Sequence, residues 1–388
     1  MSDVTITSSI RYVGMDDTTI DLFESQYRVP KGVSYNSYVI LDEKITVMDT
    51  VDSRAVDGWL KKVEEVLAGK APEYLVISHM EPDHAGSIQV LAEKYPEMKL
   101  VGNAKTFAML GQFFDMNADG RTVVVKEGDT LSLGSHTLQF FMAPMVHWPE
   151  VMVTYEQSEK VLFSADGFGT FGALCQQDED WAQEARRYYI NIVGKYGVQV
   201  QALLKKAAAL DIAMICPLHG PVLKENLGYY IGLYDTWSSY RPETDGVAVV
   251  YASIHGNTAK AAWKLAQILE EKGAKKVAVF DLSRCDMSEA VSAAFQYDKL
   301  VLAAATYDGG VFPPMEDFLH HLKSKAYQNR KVALIENGSW GPLAVKTMKA
   351  VLEGMKKLTI CEKTVTIKSA MKEDTIKQLE ALAEELLA

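Results

Sequence analysis

Four side chains of the types that bind metal ions lie within one short stretch of the sequence, residues 79–84. They are His79, Glu81, Asp83 and His84. Packing several ionisable groups this tightly is costly unless a cation lies between them. Three further residues of ligand type follow later in the chain. The sequence therefore predicts a site for two metal ions formed by His79, Glu81, Asp83, His84, His147, Asp166 and His219.

Each ligand segment follows an apolar run that resembles a buried strand. Residues 74–77 precede the first segment, and a helical pattern begins just after it. Residues 151–155 and 161–164 have the pattern of a hairpin that leads to the aspartate, and residues 211–216 lead to the last histidine. Since α/β folds tend to carry their chemistry at the carboxyl ends of strands, we expect three strand ends to present ligands to one point.

The length of the chain exceeds what one hydrophobic core usually holds. It has 388 residues, of which 48% are hydrophobic and 23% are charged, so we expect a globular protein with two domains. No apolar run is long enough to span a bilayer, and the N-terminal residues lack the pattern of a signal peptide. We therefore expect a cytoplasmic protein with no membrane partner.

The formal net charge of −11 argues against binding to nucleic acid, which is itself negatively charged. The chain also has no basic stripe with interleaved aromatic residues. Its four cysteines are far apart and form no C-x-x-C pair. A zinc ribbon or a rubredoxin-type iron centre therefore cannot be built from them, and we expect them to be reduced, buried thiols.

Residues 240–246 are polar, include a proline and a glycine, and precede a change of pattern. We place a domain boundary there, which gives domains at residues 1–245 and 246–388. After it, strand and helix patterns alternate strictly, and this alternation predicts a doubly wound parallel sheet. The expected strands are 247–253, 276–282, 299–305, 331–336 and 358–367, and the expected helices are 258–273, 287–295, 314–324, 343–355 and 374–387.

Three loops of this second domain have residues that suit a phosphorylated planar cofactor. The first offers hydroxyls, a glycine and the amides of a helix N-terminus, which suit a phosphate. The other two combine glycines, which allow close backbone approach, with aromatic rings that could flank a flat ring. Flavin mononucleotide (FMN) fits best. The candidate contacts are Ser253, Ile254, His255, Gly256, Asn257, Thr258, Thr306, Tyr307, Asp308, Gly309, Gly310, Asn337, Gly338, Ser339, Trp340 and Gly341.

These motifs together resemble those of flavodiiron proteins, also called A-type flavoproteins, over essentially the whole chain. The family pattern H-x-E-x-D-H, followed by a histidine and an aspartate at the family spacing, is matched by residues 79–84, His147 and Asp166. His219 lies in a sequence similar to the family's P-x-H-G signature. The resemblance implies an α/β protein in which a metallo-β-lactamase-like αββα domain is followed by a flavodoxin-like doubly wound parallel sheet domain.

The resemblance also implies how two iron ions would be held. One iron would take His79, Glu81 and His147, the other would take Asp83 and His219, and Asp166 would bridge them. The residue that matches His84 is not a ligand in every flavodiiron protein. At the flavin, Ala304 and Ala305 replace the more usual Ser-Pro and Pro342 stands where an aromatic is often seen, so side-chain contacts there differ from the family's.

The implied activity is that of a flavodiiron oxidoreductase, which passes electrons from an external donor through FMN to a diiron centre. The substrate would be O2, which is reduced to water, or NO, which is reduced to N2O, or both gases. The donor would be a separate rubredoxin-like protein, because no C-x-x-C extension is present, or reduced coenzyme F420. Family members place the flavin of one subunit beside the irons of another, so we expect a head-to-tail homodimer or a dimer of dimers. Tyr27, Trp148 and Tyr196 are candidates for lining the substrate pocket.

Two other functions stay open at this stage. A di-zinc metallo-β-lactamase-fold hydrolase with an appended flavodoxin domain is the main alternative. Such hydrolases usually have H-x-H-x-D-H, whereas Glu81 stands at the second histidine position here and raises the carboxylate content, which favours iron. A flavin electron carrier with a vestigial metal site is the second alternative, and the presence of every ligand type argues against it.

Overall fold

The computed structural model describes residues 6–177 and 180–388, which form two compact units. The N-terminal unit takes the described residues of Met1–Tyr189 together with Val198–Asp235. The C-terminal unit takes Ile190–Gly197 and Thr236–Ala388. A domain boundary between residues 245 and 246 stays a prediction from the sequence.

Short strands and helices fill the described residues up to Ser238. The strands are β1 (Ile10–Tyr12), β2 (Met15–Asp17), β3 (Leu22–Phe23), β4 (Tyr27–Arg28), β5 (Val33–Tyr35), β6 (Tyr38–Ile40), β7 (Thr46–Met48), β8 (Tyr74–Val76), β9 (Lys99–Gly102), β10 (Thr122–Val124), β11 (Thr130–Ser132), β12 (Thr137–Met142), β13 (Met152–Glu156), β14 (Val161–Phe163) and β15 (Met214–Cys216). The helices are α1 (Val56–Leu67), α2 (Pro82–Ala85), α3 (Ile88–Lys94), α4 (Ala104–Phe113), α5 (Trp181–Tyr188), α6 (Gly197–Ala207) and α7 (Leu227–Ser238). A π-helical turn, Tyr189–Val193, follows α5 directly.

Two mixed sheets form the core of the N-terminal unit. One has the order β1-β6-β7-β8-β9-β10 and the other β11-β12-β13-β14-β15. Alternate side chains from both sheets, among them Ile40, Val76, Phe140 and Phe163, form one buried cluster, so the sheets pack face to face. The intervening side chains Val39, Val47 and Leu75 are also fully buried, and this requires a second covering layer on the other face.

The sheet topology brings the ligand segments together. Strand β8 runs parallel to β7 and β9, and β14 runs parallel to β15. Because parallel neighbours end at the same edge of a sheet, the segments after β14 and β15 leave side by side. Asp166 and His219 follow those two strands, and residues 79–84 follow β8.

The C-terminal unit contains the predicted alternation of strands and helices. Its elements are β16 (Thr244–Ala252), α8 (Asn257–Glu271), β17 (Val277–Asp281), α9 (Met287–Gln296), β18 (Tyr297–Tyr307), β19 (Gly310–Val311), α10 (Pro313–Ser324), β20 (Arg330–Asn337), α11 (Ala344–Leu352), β21 (Leu358–Ile367) and α12 (Glu373–Leu387). The main strands are all parallel in the order β17-β16-β18-β20-β21, and β19 pairs antiparallel with β18. This is a doubly wound order in which the first strand lies between the second and the third.

Helix α8 shows why this part of the chain could be predicted well. Ala261, Leu265, Ile268 and Leu269 recur at helical spacing, and all four are buried against the sheet. Strand β16 begins at Thr244, three residues before the predicted start, because a register irregularity between Thr244 and Val247 extends its pairing with β18.

Two details differ from the sequence expectation. The helix after β8 begins already at Pro82, inside the ligand segment, because proline suits the first turn of a helix and Glu81 stands at its N-cap. The expectation of buried thiols is wrong for Cys175, which is exposed, and for Cys285, which is half-buried. Cys216 and Cys361 are buried as expected.

Among the described residues, none of the helices combines the length and the apolar character that a membrane crossing requires. The cytoplasmic location stays a prediction from the sequence.

Candidate metal and flavin sites

The structure brings all seven predicted metal ligands together in the N-terminal unit. They form two groups, and within each group the ligand atoms lie within 4.8 Å of one another. The first group is His79, Glu81, His147 and Asp166, and the second is Asp83, His84 and His219.

The first group is compact. The Oε2 atom of Glu81 lies 3.2 Å from His79 Nε2 and 3.0 Å from His147 Nε2. The Oδ2 atom of Asp166 lies 3.3 Å and 3.0 Å from the same two nitrogens. Two imidazoles and two carboxylates therefore face one small volume, which is a donor set that iron accepts.

The second group lies on the other side of Asp166. His219 Nε2 is 3.1 Å from Asp83 Oδ2 and 2.9 Å from His84 Nε2. The Oδ1 atom of Asp166 lies 3.5 Å from His84 Nε2 and 3.8 Å from His219 Nε2. The two oxygens of Asp166 thus face different groups, as a bridging carboxylate requires.

Helix α2 explains how neighbouring residues reach different groups. Glu81 caps this helix from its extended N-cap position, whereas Asp83 and His84 lie on its single turn. The turn points the last two side chains away from Glu81, so one short segment supplies ligands to both groups. The backbone carbonyl of His84 is held by the amide of Thr50 at 3.1 Å and by its hydroxyl.

Hydrogen bonds on the far side of two imidazoles set which ring nitrogen carries the proton. His79 Nδ1 lies 2.8 Å from a carboxylate oxygen of Glu150, and His219 Nδ1 lies 2.7 Å from the carbonyl of Ser34. Since a carboxylate and a carbonyl only accept, each Nδ1 donates, so in the neutral ring each Nε2 keeps the lone pair that a metal would bind. These lone pairs point toward the carboxylates of Glu81, Asp83 and Asp166.

Such an arrangement fits a cation. His84 Nε2 and His219 Nε2 face each other at 2.9 Å beside the carboxylate of Asp83. Asp83 Oδ1 and Asp166 Oδ1 are buried, and neither has a hydrogen-bond partner among the described residues. Buried carboxylate oxygens without donors are costly, and two metal ions would satisfy all of them.

The electrostatic field of the site favours positive charge. Burial alone would lower the pKa of His147, but its hydrogen bonds to Asp166 and Glu81 raise that pKa to about 9. Burial would likewise lower the pKa of His79, yet the charge of Asp166 and hydrogen bonds to three carboxylates raise it well above the usual value. The carboxylates therefore stabilise a cation at this point, whether a proton or a metal.

Sequence reasoning missed an aromatic wall beside the second group. The rings of Phe23, Tyr35 and Tyr188 lie 5.3, 6.2 and 5.6 Å from the ring of His219, and Phe171 packs on Tyr188 at 5.1 Å. The Tyr188 hydroxyl is buried and has no hydrogen-bond partner among the described residues. Burial, followed by the charges of Asp166, Asp83 and Glu81, raises its pKa, so this hydroxyl feels carboxylates of both groups.

The three candidates for the substrate pocket have different surroundings. Trp148 contacts His79 edge-on at 5.3 Å and His147 at 6.2 Å, so it lies against the first group. Tyr27 packs on Phe171 at 6.2 Å, behind the aromatic wall. Tyr196 belongs to the C-terminal unit, where the ammonium of Lys195 lies over its ring.

A cavity of about 710 Å³ lies at the carboxyl ends of the strands of the C-terminal unit. This volume is in the range of cofactor sites. All three predicted loops line it, although Gly256 and Gly310 of the predicted contacts are not among the lining residues. Ala305, Leu343 and Ser369 are lining residues outside the predicted contacts. The cavity-lining residues from the predicted loops are Ser253, Ile254, His255, Asn257, Thr258, Thr306, Tyr307, Asp308, Gly309, Asn337, Gly338, Ser339, Trp340 and Gly341.

Hydrogen bonds between loops shape this cavity. The Thr306 hydroxyl accepts from the amides of Leu343 and Ala344 at 2.9 and 3.2 Å, which ties the second loop to the start of α11. The Asn337 amide group donates to the carbonyl of Ser369 at 2.9 Å and its oxygen accepts from the Ser369 amide at 3.1 Å. The side chains of Thr306 and Asn337 therefore hold the loops of the cavity together.

Two glycines serve different purposes in these loops. Gly256 has a φ of 82°, a left-handed conformation that precedes α8 and exposes the amides of its first turn. Gly338 approaches Pro342 so closely that a Cβ atom would lie 2.8 Å from the Pro342 Cα. Pro342, which replaces an aromatic of the family pattern, is thus accommodated by the glycine opposite it.

Aromatic side chains at the mouth of the cavity are exposed. Trp340 is 96% exposed and Tyr307 is 44% exposed. Both side chains line the same cavity, so their exposed faces are accessible to a planar ligand bound there.

Comparison with protein families agrees with this division of the chain. A family model described as "ODP family beta lactamase" matches residues 33–220, and one described as "Flavodoxin" matches residues 249–381. With the two packed sheets and the doubly wound sheet, these matches confirm the predicted fold class, a metallo-β-lactamase-like domain followed by a flavodoxin-like domain.

Similar proteins extend over nearly the whole chain. Rubredoxin-oxygen oxidoreductase from Megalodesulfovibrio gigas is 30% identical over 92% of this chain and 90% of its own. Anaerobic nitric oxide reductase flavorubredoxin from Vibrio vulnificus is 30% identical over 89% of this chain and 72% of its own. The crystal structure of the flavodiiron protein from Giardia intestinalis superimposes with a TM-score of 0.93 at 25% identity, covering 100% of this chain and 97% of that one.

Proposed function

This chain belongs to the flavodiiron protein family, as its motifs predicted, and from that premise we propose that it is a reductase of small diatomic gases. It is an oxidoreductase with FMN and two iron ions as cofactors. When bound, FMN carries electrons from an external donor and the iron pair uses them to reduce O2 to water, NO to N2O, or both. The observation that supports this best is the pair of ligand groups that share Asp166, on a chain that also has the three-loop cavity.

The metal ligands follow from the two groups. We propose His79, Glu81 and His147 for the first iron, Asp83, His84 and His219 for the second, and Asp166 for both. His84 is included because its Nε2 lies 2.9 Å from His219 Nε2 and 3.4 Å from Asp83 Oδ2, among the other donors of the second group. Glu81 in place of a histidine makes the first position more anionic than a typical di-zinc site, so the hydrolase alternative is not favoured.

We propose that FMN occupies the cavity of the C-terminal unit. Its phosphate would lie on residues 253–258, where the amides at the N-terminus of the fifteen-residue helix α8 supply donors. Its ring would lie against Tyr307 and Trp340, whose exposed faces suit stacking. The remaining predicted contacts, at 308–310 and 337–341, would approach through backbone atoms.

Residues around the second group prepare the site for a small apolar substrate. Phe23 and Tyr188 contact His219, and Phe171 packs on Tyr188, so apolar surface limits the access of bulk water on that side. Reduction of either gas consumes protons as well as electrons. The Tyr188 hydroxyl is buried and has no hydrogen-bond partner in the described part of the chain, so it is available to donate a hydrogen bond to a substrate oxygen.

The electron donor is proposed to be a separate rubredoxin-type protein, since a similar protein bears the name rubredoxin-oxygen oxidoreductase. Reduced coenzyme F420 is the alternative donor. The metal groups and the flavin cavity belong to different units of the chain. We therefore propose a head-to-tail homodimer, or a dimer of such dimers, in which one subunit's flavin serves the irons of another.

The function is tested on protein purified from iron-supplemented cells. We expect about two irons and one FMN per chain, and rapid consumption of O2, NO or both when reduced rubredoxin is supplied. A matched sample with flavin removed should keep its iron and lose rubredoxin-driven turnover. Comparing the two gases under the same donor measures the substrate preference.

Other outcomes would overturn the proposal. Two zinc ions per chain, no flavin absorbance and turnover of thioesters or lactams would establish the hydrolase. Full gas reduction by a metal-free preparation would establish a flavin carrier whose metal site is vestigial.

A further inference from the structure

The two metal groups differ in the hydrogen-bond partners of their histidine Nδ1 atoms, which face away from the metal position. His79 of the first group donates from Nδ1 to a carboxylate oxygen of Glu150 at 2.8 Å. His219 of the second group donates from Nδ1 to the neutral carbonyl of Ser34 at 2.7 Å. His84 Nδ1, also in the second group, is buried and has no hydrogen-bond partner among the described residues. Among these three imidazoles, His79 is the one whose Nδ1 donates directly to a carboxylate. The buried carboxyl of Asp49 interacts electrostatically with both His84 and His79, so it does not distinguish the two groups.

Hydrogen bonds and burial fix the position of Glu150 beside His79. Its side chain is fully buried, and its Oε1 atom accepts both from His79 Nδ1 and from the Met80 amide, each at 2.8 Å. The side-chain amide of Asn103 donates to the backbone carbonyl of Glu150 at 2.5 Å, which fixes its backbone beside β13. Glu150 Oε2 is buried and has no partner in the described residues. A carboxylate this costly to bury indicates a role beyond packing.

A carboxylate behind a ligating imidazole has a known physical effect. It fixes the ring orientation and the tautomer, and it makes the imidazole a more basic ligand. A neutral carbonyl also fixes the tautomer, but it increases the basicity of the imidazole less. Where Nδ1 has no partner, neither the tautomer nor the ring orientation is fixed in this way. Each group also holds its own carboxylate near two imidazole nitrogens, Glu81 at 3.0–3.2 Å in the first and Asp83 at 3.1–3.4 Å in the second. The difference between the groups therefore lies in the partner of the histidine Nδ1 atom.

We propose that Glu150 is a positioning residue that makes the first metal position the stronger of the two, so that the irons leave the protein in a fixed order. This inference rests on the proposed diiron site and deepens it. The second iron, at Asp83, His84 and His219, is released first. The first iron, at His79, Glu81 and His147, is retained because Glu150 holds His79 in its ligating form.

Chelator-driven release from the iron-loaded full-length protein tests the order. A chromogenic Fe(II) chelator is added in excess under reducing, oxygen-free conditions, and iron per chain is followed with time. We expect two phases, each of about one iron per chain. In Glu150→Gln the slow phase should become about 10–100-fold faster, whereas the fast phase stays unchanged, because an outer carboxylate typically contributes that factor to affinity.

Two further variants separate positioning from general destabilisation. Glu156→Gln is the matched control, because Glu156 is equally buried and lies in β13. Among the described residues its carboxylate accepts from the backbone amides of Ser158 and Glu159 and from no histidine. This control variant should leave both release phases unchanged. Glu150→Asp keeps the charge on a shorter side chain and should restore part of the slow phase. It also keeps the test valid if circular dichroism shows that Glu150→Gln does not fold.

The proposal is overturned if the wild-type protein loses both irons in one phase, or if both Glu150 variants leave the slow phase unchanged. It is also overturned if Glu156→Gln accelerates release as much as Glu150→Gln does. Release needs no turnover and can be repeated with Co(II). A failure of the gas-reductase proposal would therefore appear only in the activity assay, and a failure of this inference only in the release order.

Discussion

The candidate metal site of the N-terminal unit is a compact cluster of ionisable side chains, whereas the cavity of the C-terminal unit is lined by three loops that include exposed aromatic rings. In the first, seven ionisable side chains fall into two groups with ligand atoms within 4.8 Å, and most are buried. In the second, polar side chains such as Thr306 and Asn337 are used to tie loops together. Single substitutions should therefore cause large losses of bound iron at the first site and only small losses of FMN affinity at the second.

The largest effect is expected from Asp166→Ala. Because its two oxygens face different groups, its loss should weaken both metal positions, and we expect less than one iron per chain and at least a 100-fold fall in gas reduction. FMN content should stay near one per chain. Iron analysis and oxygen or NO consumption measure this. Asp119→Ala, at an exposed position of the same unit, is the control and should change neither quantity. Normal iron content in Asp166→Ala would remove the contrast between the two sites.

A smaller effect is expected from Trp340→Ala. Loss of an aromatic face should weaken FMN binding by about 1.4 kcal/mol, or about ten-fold in Kd, because aromatic stacking contributes energies of this order. Fluorescence titration of flavin-free protein measures the Kd, and iron content should not change. Trp340→Phe should retain most of the affinity, and Trp263→Ala, exposed on α8 outside the cavity lining, should retain all of it. Equal Kd values for wild type and Trp340→Ala would show that the ring lies elsewhere.

The smallest effect is expected from Gly256→Ala. A left-handed conformation costs a non-glycine residue about 1 kcal/mol, and no atom lies within 4 Å of the added Cβ. We expect the Kd for FMN to rise about five-fold at most. Gly69→Ala is the matched control, since Gly69 has the same φ of 82° and the same open space in the other unit. Its strain should lower the melting temperature without changing the Kd. A hundred-fold loss in Gly256→Ala would mean that this backbone is as demanding as the metal site.

The sequence predicted most of the C-terminal unit because its signals are local. Helix α8, for example, shows its buried face at regular spacing, and β18 contains a continuous buried apolar run. The N-terminal unit was harder, since strands such as β3 and β4 have only two residues and pair in ways that no short pattern reveals. Its architecture was predicted from the family resemblance.

That the seven ligand-type residues lie close together could be predicted because four of them form one motif, but the residues behind them could not. Ser34 contributes only a backbone carbonyl, which any residue offers, and Tyr188 comes from a helix far along the chain. Glu150 carried a weak signal, since it follows His147 closely and precedes β13. The turn at Pro82 was missed because a cluster of ligands looked more like a loop than the start of a helix.

The shared position of Asp166 has a consequence for the lifetime of the protein. The ligand groups join segments at residues 79–84, 147, 166 and 219, which come from different parts of the chain. Bound metal would link these segments directly and stabilise the folded chain by mass action. Protein that has lost its metal therefore opens more often at these loops and is cut sooner by proteases. Supply of iron would thus set how long each molecule survives, in addition to whether it works.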